Sequence, residues 1–207
     1  MQNFQNLQKQ AQLLRNMPDY YQSHCQEYFE TTFRIDPTSF LAPLRAELKS
    51  GDSILDVGCG SGRDLVWFQK QNFKVTGFER SAGLVELARI QTACEIIKGD
   101  FETYDFSQHS FDALMLCGSL VHIAPDRLVI VLGNIIKCLR TKGIVFISLK
   151  EGRAPYSKAD GRIYYLWSDQ DLREMFNKIN LTVRRFNRGV SKVNDHDIWL
   201  SYVLQKA

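Results

Sequence analysis

Residues 53–64 have the sequence SILDVGCGSGRD, and this stretch decides the fold class. Its first part, 53–57, is a short apolar run that is typical of a buried strand. Three glycines at alternate positions follow, and they allow a sharp turn because no Cβ stands in the way. From Asp64 onwards the apolar residues return at helical spacing. A strand, a glycine turn and a helix in this order predict a ligand site at the carboxyl edge of a doubly wound sheet.

The spacing of the glycines restricts the class of ligand that this turn is expected to bind. A dinucleotide fingerprint has the form G-x-G-x-x-G. Here Gly58, Gly60 and Gly62 give G-x-G-x-G, and Arg63 stands where the third glycine would fall. Glu79 ends the next predicted strand, where a carboxylate suits a ribose diol in either class of site.

Asp56, the glycine turn and Glu79 together resemble the class I S-adenosylmethionine-dependent methyltransferases. The first motif of that family is a hydrophobic strand and an acidic residue followed by G-x-G-x-G. The resemblance covers residues 50–206, and the stretches 60–64 and 119–122 are most similar to small bacterial methyltransferases of the ubiquinone-biosynthesis or tellurite-resistance type.

Strands and helices alternate through most of the chain, which predicts a parallel sheet with right-handed crossovers. The predicted strands are 53–57, 73–79, 94–97, 111–117 and 143–149, and the predicted helices are 63–71, 82–91, 126–139 and 169–178. Two last strands, 181–187 and 198–205, have no helix between them and predict an antiparallel hairpin. The predicted fold is therefore α/β: a Rossmann-like, seven-stranded, mostly parallel sheet with helices on both faces and a C-terminal antiparallel β-hairpin, as the resemblance implies.

Two stretches depart from the family pattern. Residues 141–143 are Thr-Lys-Gly where the family usually has Pro-Gly-Gly, and residues 179–181 are Ile-Asn-Leu where it usually has Gly-Phe. Both lie away from the predicted cofactor site, so they bear on the subfamily more than on the activity.

Residues 1–49 are predicted to be a helical segment of the same domain as 50–207. The first seventeen residues have an amphipathic helical pattern that Pro18 ends, and a second helix is predicted at 39–49. The first helix is interpreted as packing on the domain, as a dimer contact or as a lid. An aromatic-rich stretch lies between the two predicted helices. The resemblance implies that it is a segment that closes over the cofactor and bears Tyr20, Tyr21 and Tyr28. Ordinary aromatic packing against the sheet is the alternative.

Bulk properties restrict the partners and the compartment. The net charge is only +3 and the basic residues are scattered, which argues against a nucleic-acid surface. No apolar stretch approaches the roughly 20 residues of a membrane span. Five cysteines without a C-x-x-C pair favour a reduced cytoplasm. Cys117 and His122 lack the further ligands of a metal site. We therefore expect a cytoplasmic monomer or homodimer that binds no metal, nucleic acid or membrane.

The resemblance implies a residue for each chemical group of S-adenosylmethionine. Asp56 would accept hydrogen bonds from the ammonium group, and Glu79 would accept both ribose hydroxyls. Arg80 would lie along the adenine, Asp100 would receive the adenine amino group, and the N–H of Phe101 would adjoin it. The alternative for Asp100 is a turn residue, because Gly-Asp is a turn signal in any fold.

Arg63 is interpreted in two ways: as a bidentate clamp on the cofactor's carboxylate, or as a first-turn residue paired with Asp64. The remaining predicted cofactor contacts follow the first and fourth strands. They are Gly58, Cys59, Gly60, Asp64, Cys117, Gly118 and Ser119.

His122 is the candidate catalytic residue. Its ordinary pKa would let it take a proton from a hydroxyl near neutral pH, an effect worth about 10²–10⁴ in rate; the alternative is that it only shapes the pocket. Methylation of nucleic-acid bases at nitrogen is disfavoured, because residues 117–120 lack the Asn- or Asp-Pro-Pro-aromatic run of such enzymes. This stretch also lacks the aspartate that a magnesium-dependent enzyme of this fold would have there. Arg153 and Tyr164 are the predicted substrate contacts, with solvated loop charge the alternative for Arg153.

The sequence thus predicts an enzyme that transfers a methyl group from S-adenosylmethionine to a small-molecule nucleophile, leaving S-adenosylhomocysteine. One alternative is a non-catalytic protein that binds this cofactor or scaffolds a partner. Another is a nicotinamide-dependent oxidoreductase, against which the broken fingerprint and the terminal hairpin count.

Overall fold

A seven-stranded sheet forms the centre of the protein, whose computed structural model describes residues 20–207. The helix predicted for the first seventeen residues lies outside the described residues. The sheet strands are β1 Ser53–Val57, β2 Lys74–Glu79, β3 Ile96–Lys98, β4 Phe111–Cys117, β5 Leu139–Lys150, β8 Leu181–Val190 and β9 Ile198–Lys206; a separate hairpin consists of β6 Tyr156–Ser157 and β7 Ile163–Tyr164. The helices are α1 Tyr20–Ser23, α2 Cys25–Thr32, α3 Thr38–Arg45, α4 Arg63–Gln69, α5 Ala82–Gln91, α6 Pro125–Ile135 and α7 Asp169–Lys178.

The strand order is β3-β2-β1-β4-β5-β9-β8. The first five strands in this order are parallel to one another, whereas β9 is antiparallel to both β5 and β8. The predicted fold class is therefore confirmed, including the antiparallel hairpin at the sheet edge. Because β1 and β4 occupy the middle, their carboxyl ends meet where the strand order reverses, and such a switch point is where open α/β sheets bind ligands.

Both faces of the sheet are buried, which explains why the central strands are apolar throughout. Along β1, Leu55 packs into the core on one face and Ile54 into the core on the other. Helices α6 and α7 cover the first face, and α3, α4 and α5 cover the second. The core thereby fixes the carboxyl edge on which the candidate site is built.

Several predicted boundaries need correction. The helix predicted at 126–139 ends at Ile135, a 3₁₀ turn Ile136–Cys138 follows, and β5 begins at Leu139 instead of 143. The pairing of β4 with β5 is irregular between Phe111 and Ala113. This irregularity accommodates the residues by which β5 begins earlier than predicted. Hydrophobic periodicity alone does not reveal such an irregularity.

Two further boundaries differ from the prediction. Helix α3 ends at Arg45 instead of 49, because the chain continues in i→i+3 turns from Leu44 and Arg45 before β1. Strand β3 occupies Ile96–Lys98, so it starts two residues later than predicted, in register with Gly77–Glu79 of β2.

The β6–β7 hairpin, absent from the sequence prediction, lies beside the carboxyl edge of the sheet. Each of its strands has only two residues, too few for a period to be visible. Two backbone hydrogen bonds anchor the chain that follows it: Tyr165 N–H donates to Val121 O at 2.9 Å, and Trp167 N–H donates to Lys150 O at 2.9 Å.

Helix α1 packs on the start of α5. The side-chain oxygen of Gln22 accepts hydrogen bonds from Ala82 N–H at 2.7 Å and from the Ser81 hydroxyl at 3.3 Å. An acceptor at this position satisfies a donor that the first turn of α5 leaves open. The aromatic segment 20–33 is therefore brought to the same edge as the glycine turn. In residues 20–207, no helix has the length and apolarity needed to cross a membrane.

Candidate functional site

The glycine turn after β1 has the backbone conformation that its composition predicts. Gly58, Gly60 and Gly62 all have positive φ, at 78°, 55° and 88°. A Cβ on Gly58 would lie 2.4 Å from Cβ of Ser119, and one on Gly60 would lie 3.2 Å from the Tyr28 ring. Glycine is therefore required both for the turn and for the close approach of the neighbouring segments.

Glu79 holds this turn in place. Its Oε2 accepts a hydrogen bond from Gly60 N–H at 3.0 Å, and its Oε1 accepts from Arg80 N–H at 2.9 Å and Ser81 N–H at 2.8 Å. The residue is 8% exposed. These three hydrogen bonds fix the carboxylate beside the glycine turn. The ribose role stays a prediction.

Asp56 lines a cavity beneath α2. It is 2% exposed, and within residues 20–207 no donor hydrogen-bonds its carboxylate. Burial raises the pKa of Asp56 well above its usual value, the neighbouring Asp64 raises it further, and Arg63 opposes them. The cavity is lined by Tyr28, Thr32, Asp56, Gly58, Cys59, Ser61, Arg63, Asp64 and Cys117.

Arg63 forms an ion pair with its neighbour. Its Nε and Nη2 donate to the two oxygens of Asp64 at 2.6 and 2.9 Å, and its guanidinium lies 5.2 Å from the centre of the Phe40 ring. This is the pairing with Asp64 that the sequence left as one alternative. A cofactor carboxylate would have to share the guanidinium with Asp64.

Asp100 and Arg80 lie together at the ends of β3 and β2. Nη1 of Arg80 is 3.6 Å from Oδ2 of Asp100, whose Oδ1 accepts from Glu102 N–H at 2.9 Å. Phe101 packs against the core. The turn function of Asp100 is thus present, and its adenine role stays a prediction.

The end of β4 contributes a buried hydroxyl. Among the described residues, Oγ of Ser119 is buried and has no hydrogen-bond partner. Gly118 has φ of 67°, and its N–H donates to the Ser148 hydroxyl at 3.0 Å. Burial raises the pKa of the Cys117 thiol, which suits a packing residue rather than a reactive thiolate. The unpartnered atoms of Asp56 and Ser119 thus flank the glycine turn, as a polar ligand would require.

His122 is held in one tautomer. Its Nδ1 lies 2.6 Å from Ile163 O, and a carbonyl can only accept, so Nδ1 carries the proton. Burial lowers the pKa of His122, and nearby cations lower it further despite the bond to Ile163. The neutral ring then offers a lone pair at Nε2, to which the Tyr21 hydroxyl donates at 2.9 Å. The sequence analysis named His122 and Tyr21 as separate site residues, and nothing in the sequence indicated that their side chains are in contact.

Arg162 connects α1 to the hairpin. Its guanidinium lies 3.5 Å from the centre of the Tyr20 ring, hydrogen-bonds Tyr21 and is bidentate to Asp160 with a shortest contact of 2.6 Å. Tyr164 lies on the other side of His122, with ring centres 4.6 Å apart. Of the two predicted substrate residues, Tyr164 therefore adjoins His122, whereas Arg153 is exposed to solvent.

Lys150 and Tyr156 adjoin Tyr164, and Asp197 hydrogen-bonds both of them. The sequence analysis did not name these three as site residues. The buried Lys150 donates to Asp197 at 2.5 Å and to Tyr156 at 2.8 Å. Their signal in the sequence is weak, because only the topology brings a strand end, a hairpin and a distant loop together. No cluster of three metal-ligating side chains occurs within residues 20–207.

Comparison with known proteins agrees with this geometry. Residues 54–143 match a family model described as "Methyltransferase domain". Cycloartenol-C-24-methyltransferase of Arabidopsis thaliana is 36% identical over 97 residues, which are 42% of this chain and 28% of that protein. The chain thus spans only about a quarter of that curated relative.

Solved structures match over nearly the whole chain. Burkholderia thailandensis 1,6-didemethyltoxoflavin-N1-methyltransferase, crystallised with 1,6-didemethyltoxoflavin and S-adenosylhomocysteine, has a TM-score of 0.75 at 24% identity, covering 97% of this chain and 89% of that one. Synechocystis magnesium protoporphyrin IX methyltransferase, crystallised with S-adenosylmethionine, has a TM-score of 0.72 at 13% identity, covering 91% and 94%. The chain therefore has the fold of S-adenosylmethionine-dependent methyltransferases of known structure, and its residues 54–143 match the methyltransferase domain model.

Proposed function

We propose that this protein transfers a methyl group from S-adenosylmethionine to a small-molecule nucleophile. The observation that carries the proposal is the buried Asp56 carboxylate, which lines the cavity beside the glycine turn without a hydrogen-bond donor. An isolated buried carboxylate is costly unless a cation or donor satisfies it. The ammonium group of the cofactor is such a partner.

The other cofactor contacts are proposed along the same edge. Glu79 would bind the ribose with its carboxylate, while Arg80, Asp100 and Phe101 would surround the adenine. Ser119 would use its unpartnered hydroxyl. The backbone of the glycine turn, Arg63, Asp64, Cys59, Cys117 and Gly118 would complete the cleft, with Tyr20, Tyr21 and Tyr28 closing it from α1 and α2.

When bound, S-adenosylmethionine supplies a methyl group that its sulfonium has already activated. The protein's part is then mainly alignment, which can contribute several kcal/mol, up to about 7–11 in ideal cases. His122 is neutral with its Nε2 lone pair directed at Tyr21. We propose that this imidazole accepts the proton of an acceptor O–H or N–H group, either directly or through the Tyr21 hydroxyl.

The acceptor is proposed to lie between α1 and the hairpin, against Tyr164, with Arg153 at the outer rim. We further propose that the protein is cytoplasmic, acts as a monomer or homodimer and binds no nucleic acid. The scattered basic residues and the modest net charge of +3 support the last of these, the absence of nucleic-acid binding.

Calorimetry with two ligands tests the Asp56 assignment. S-adenosylhomocysteine has the amino-acid tail, whereas 5′-methylthioadenosine lacks it. Asp56→Asn is expected to weaken S-adenosylhomocysteine binding by about tenfold or more, because a charged hydrogen bond is lost, and to leave 5′-methylthioadenosine unaffected.

Glu79→Ala distinguishes ribose binding from tail binding. Because both ligands contain the ribose, this variant should weaken the binding of both by about 10- to 100-fold. Glu86→Ala is the matched control, because Glu86 is exposed on α5 and paired with Arg89. Wild-type protein that binds NADH but not S-adenosylhomocysteine would refute the proposed function. Equal loss of both ligands in Asp56→Asn would refute the Asp56 assignment alone.

A further inference from the structure

Lys150 is a buried cation at the carboxyl end of β5. The residue is 4% exposed, and a buried ammonium is costly unless it is paired and hydrogen-bonded. It donates to Oδ2 of Asp197 at 2.5 Å and to the Tyr156 hydroxyl at 2.8 Å. These partners belong to the β8–β9 loop and the β6–β7 hairpin, so one side chain joins three segments that are distant in sequence.

Asp197 is built to remain a carboxylate. Besides Lys150, its oxygens accept from Asn194 Nδ2 at 2.8 Å and from the Tyr156 hydroxyl at 3.2 Å. Burial alone would raise the pKa of Asp197, but the hydrogen bonds from Lys150 and Asn194 hold it below its usual value. Asp197 therefore stays ionised beside Lys150 at neutral pH.

The same ammonium touches the aromatic ring that adjoins His122. Nζ of Lys150 lies 4.1 Å from the centre of the Tyr164 ring, within the range of a cation–π contact. Tyr164 stacks on Tyr156 at 5.1 Å and lies 4.6 Å from the His122 ring. Lys150 is thus separated from His122 by one ring.

Other groups face His122 as well. In the described part of the chain, the cations acting on it are Arg162 of the hairpin, Lys150 of β5 and Arg80 after β2. Tyr21 of α1 donates to Nε2, and Ile163 O accepts from Nδ1. The charge of Arg162 is balanced by Asp160, so the Lys150–Asp197 pair can be altered independently of it.

We propose that Lys150 is a positioning residue, which with Asp197 as its counter-ion holds Tyr156 and Tyr164 of the hairpin against His122 and fixes the electrostatic field at the imidazole. The inference rests on the proposed function, in which His122 faces the acceptor. It adds a second layer to that site, built from residues outside the family's cofactor motifs.

The test follows the imidazole of His122 by NMR during a pH titration. Lys150→Met removes a cation and leaves Asp197 as an uncompensated anion, so the pKa of His122 should rise. Asp197→Asn leaves the cation uncompensated, so the pKa should fall. The double variant Lys150→Met with Asp197→Asn should lie between the single variants, and Lys150→Arg should remain near wild type.

The opposite directions of the two His122 pKa shifts distinguish a positioning role of Lys150 from a general loosening of the hairpin. A hairpin that merely loosens would admit water to the ring and raise the pKa of His122 in both single variants. If Asp197→Asn does not fold, the double variant must still titrate below Lys150→Met. Arg188→Met, which breaks the exposed Arg188–Glu151 pair at 2.7 Å, serves as the control and should change nothing at His122.

Two results would overturn the inference: shifts of one sign in both single variants, or no shift in Lys150→Met. S-adenosylhomocysteine binding is measured on the same samples. Its absence in the wild type would count against the proposed function, whereas normal binding with an insensitive His122 would count against the role of Lys150 alone.

Discussion

At the residue scale, the protonation of His122 depends on Tyr21, which lies 101 positions away in the sequence. Tyr21 brings a hydroxyl from α1, and Ile163 brings a carbonyl from the hairpin. Each partner satisfies one ring nitrogen, so the imidazole is a neutral acceptor at Nε2. This is the state in which a histidine can take up a proton.

Tyr21→Phe tests this arrangement. The Tyr21 hydroxyl donates to a lone pair that exists only in the neutral imidazole, so it stabilises the neutral form. Its removal should raise the pKa of His122, as measured by NMR titration. Tyr165→Phe is the control, because no described residue hydrogen-bonds the Tyr165 hydroxyl. An unchanged His122 titration in Tyr21→Phe would contradict the assignment of the proton to Nδ1.

At the scale of elements, the stretches 141–143 and 179–181, which depart from the family pattern, each contain a residue with a left-handed backbone conformation. Lys142 and Asn180 stand near the starts of β5 and β8, and both have positive φ, at 61° and 57°. Asparagine tolerates this region better than other non-glycine residues. Lys142 therefore carries the larger strain, at a place where the family pattern has glycine.

Lys142→Gly should therefore stabilise the protein. Relief of the left-handed conformation gains about 1–2 kcal/mol, and the greater entropy of glycine in the unfolded chain offsets part of it, leaving about 0.5–1 kcal/mol. Urea unfolding measures the difference. Lys178→Gly in the last turn of α7 is the control and should destabilise, since glycine is unfavourable in helices. A loss of stability in Lys142→Gly would contradict the argument.

At the scale of the whole molecule, Asp112 links the starts of β1, β4 and β5. Its Oδ2 accepts from Ser53 N–H at 2.9 Å and from the Ser53 hydroxyl at 2.7 Å, and its Oδ1 accepts from Arg140. Burial raises the pKa of Asp112, but the hydrogen bonds from Ser53 and Arg140 outweigh it, so the pKa lies below its usual value.

This depressed pKa predicts a pH dependence of stability. The contribution of Asp112 is complete above the unfolded-state pKa of about 3.9 and is lost as the pH falls through the lower folded-state value. Asp112→Asn should cost about 1 kcal/mol at pH 7. The difference between wild type and variant should shrink below pH 4 in urea unfolding. A difference that stays constant down to pH 3 would refute this account.

Much of the fold, and the turn on which the candidate site is built, could be predicted from the sequence, because both depend on local patterns. The strand 53–57, its glycine turn and Glu79 follow from side-chain period and from backbone conformations that only glycine adopts readily. The terminal hairpin followed from two strand-like segments without a helix between them. The end of α6 could not be predicted, because the irregular pairing of β4 with β5 overrides the apolar pattern.

The sequence by itself determined the sheet, the turn that approaches the ligand and the buried acidic residues at its edge. The tertiary structure decided the surroundings of His122: the contact with Tyr21, the β6–β7 hairpin, and the pairing of Lys150 with Asp197. Those segments are too short to show a period, and their partners lie 41 to 101 residues away. Such contacts form only after the sheet has brought its strand ends and loops to one edge.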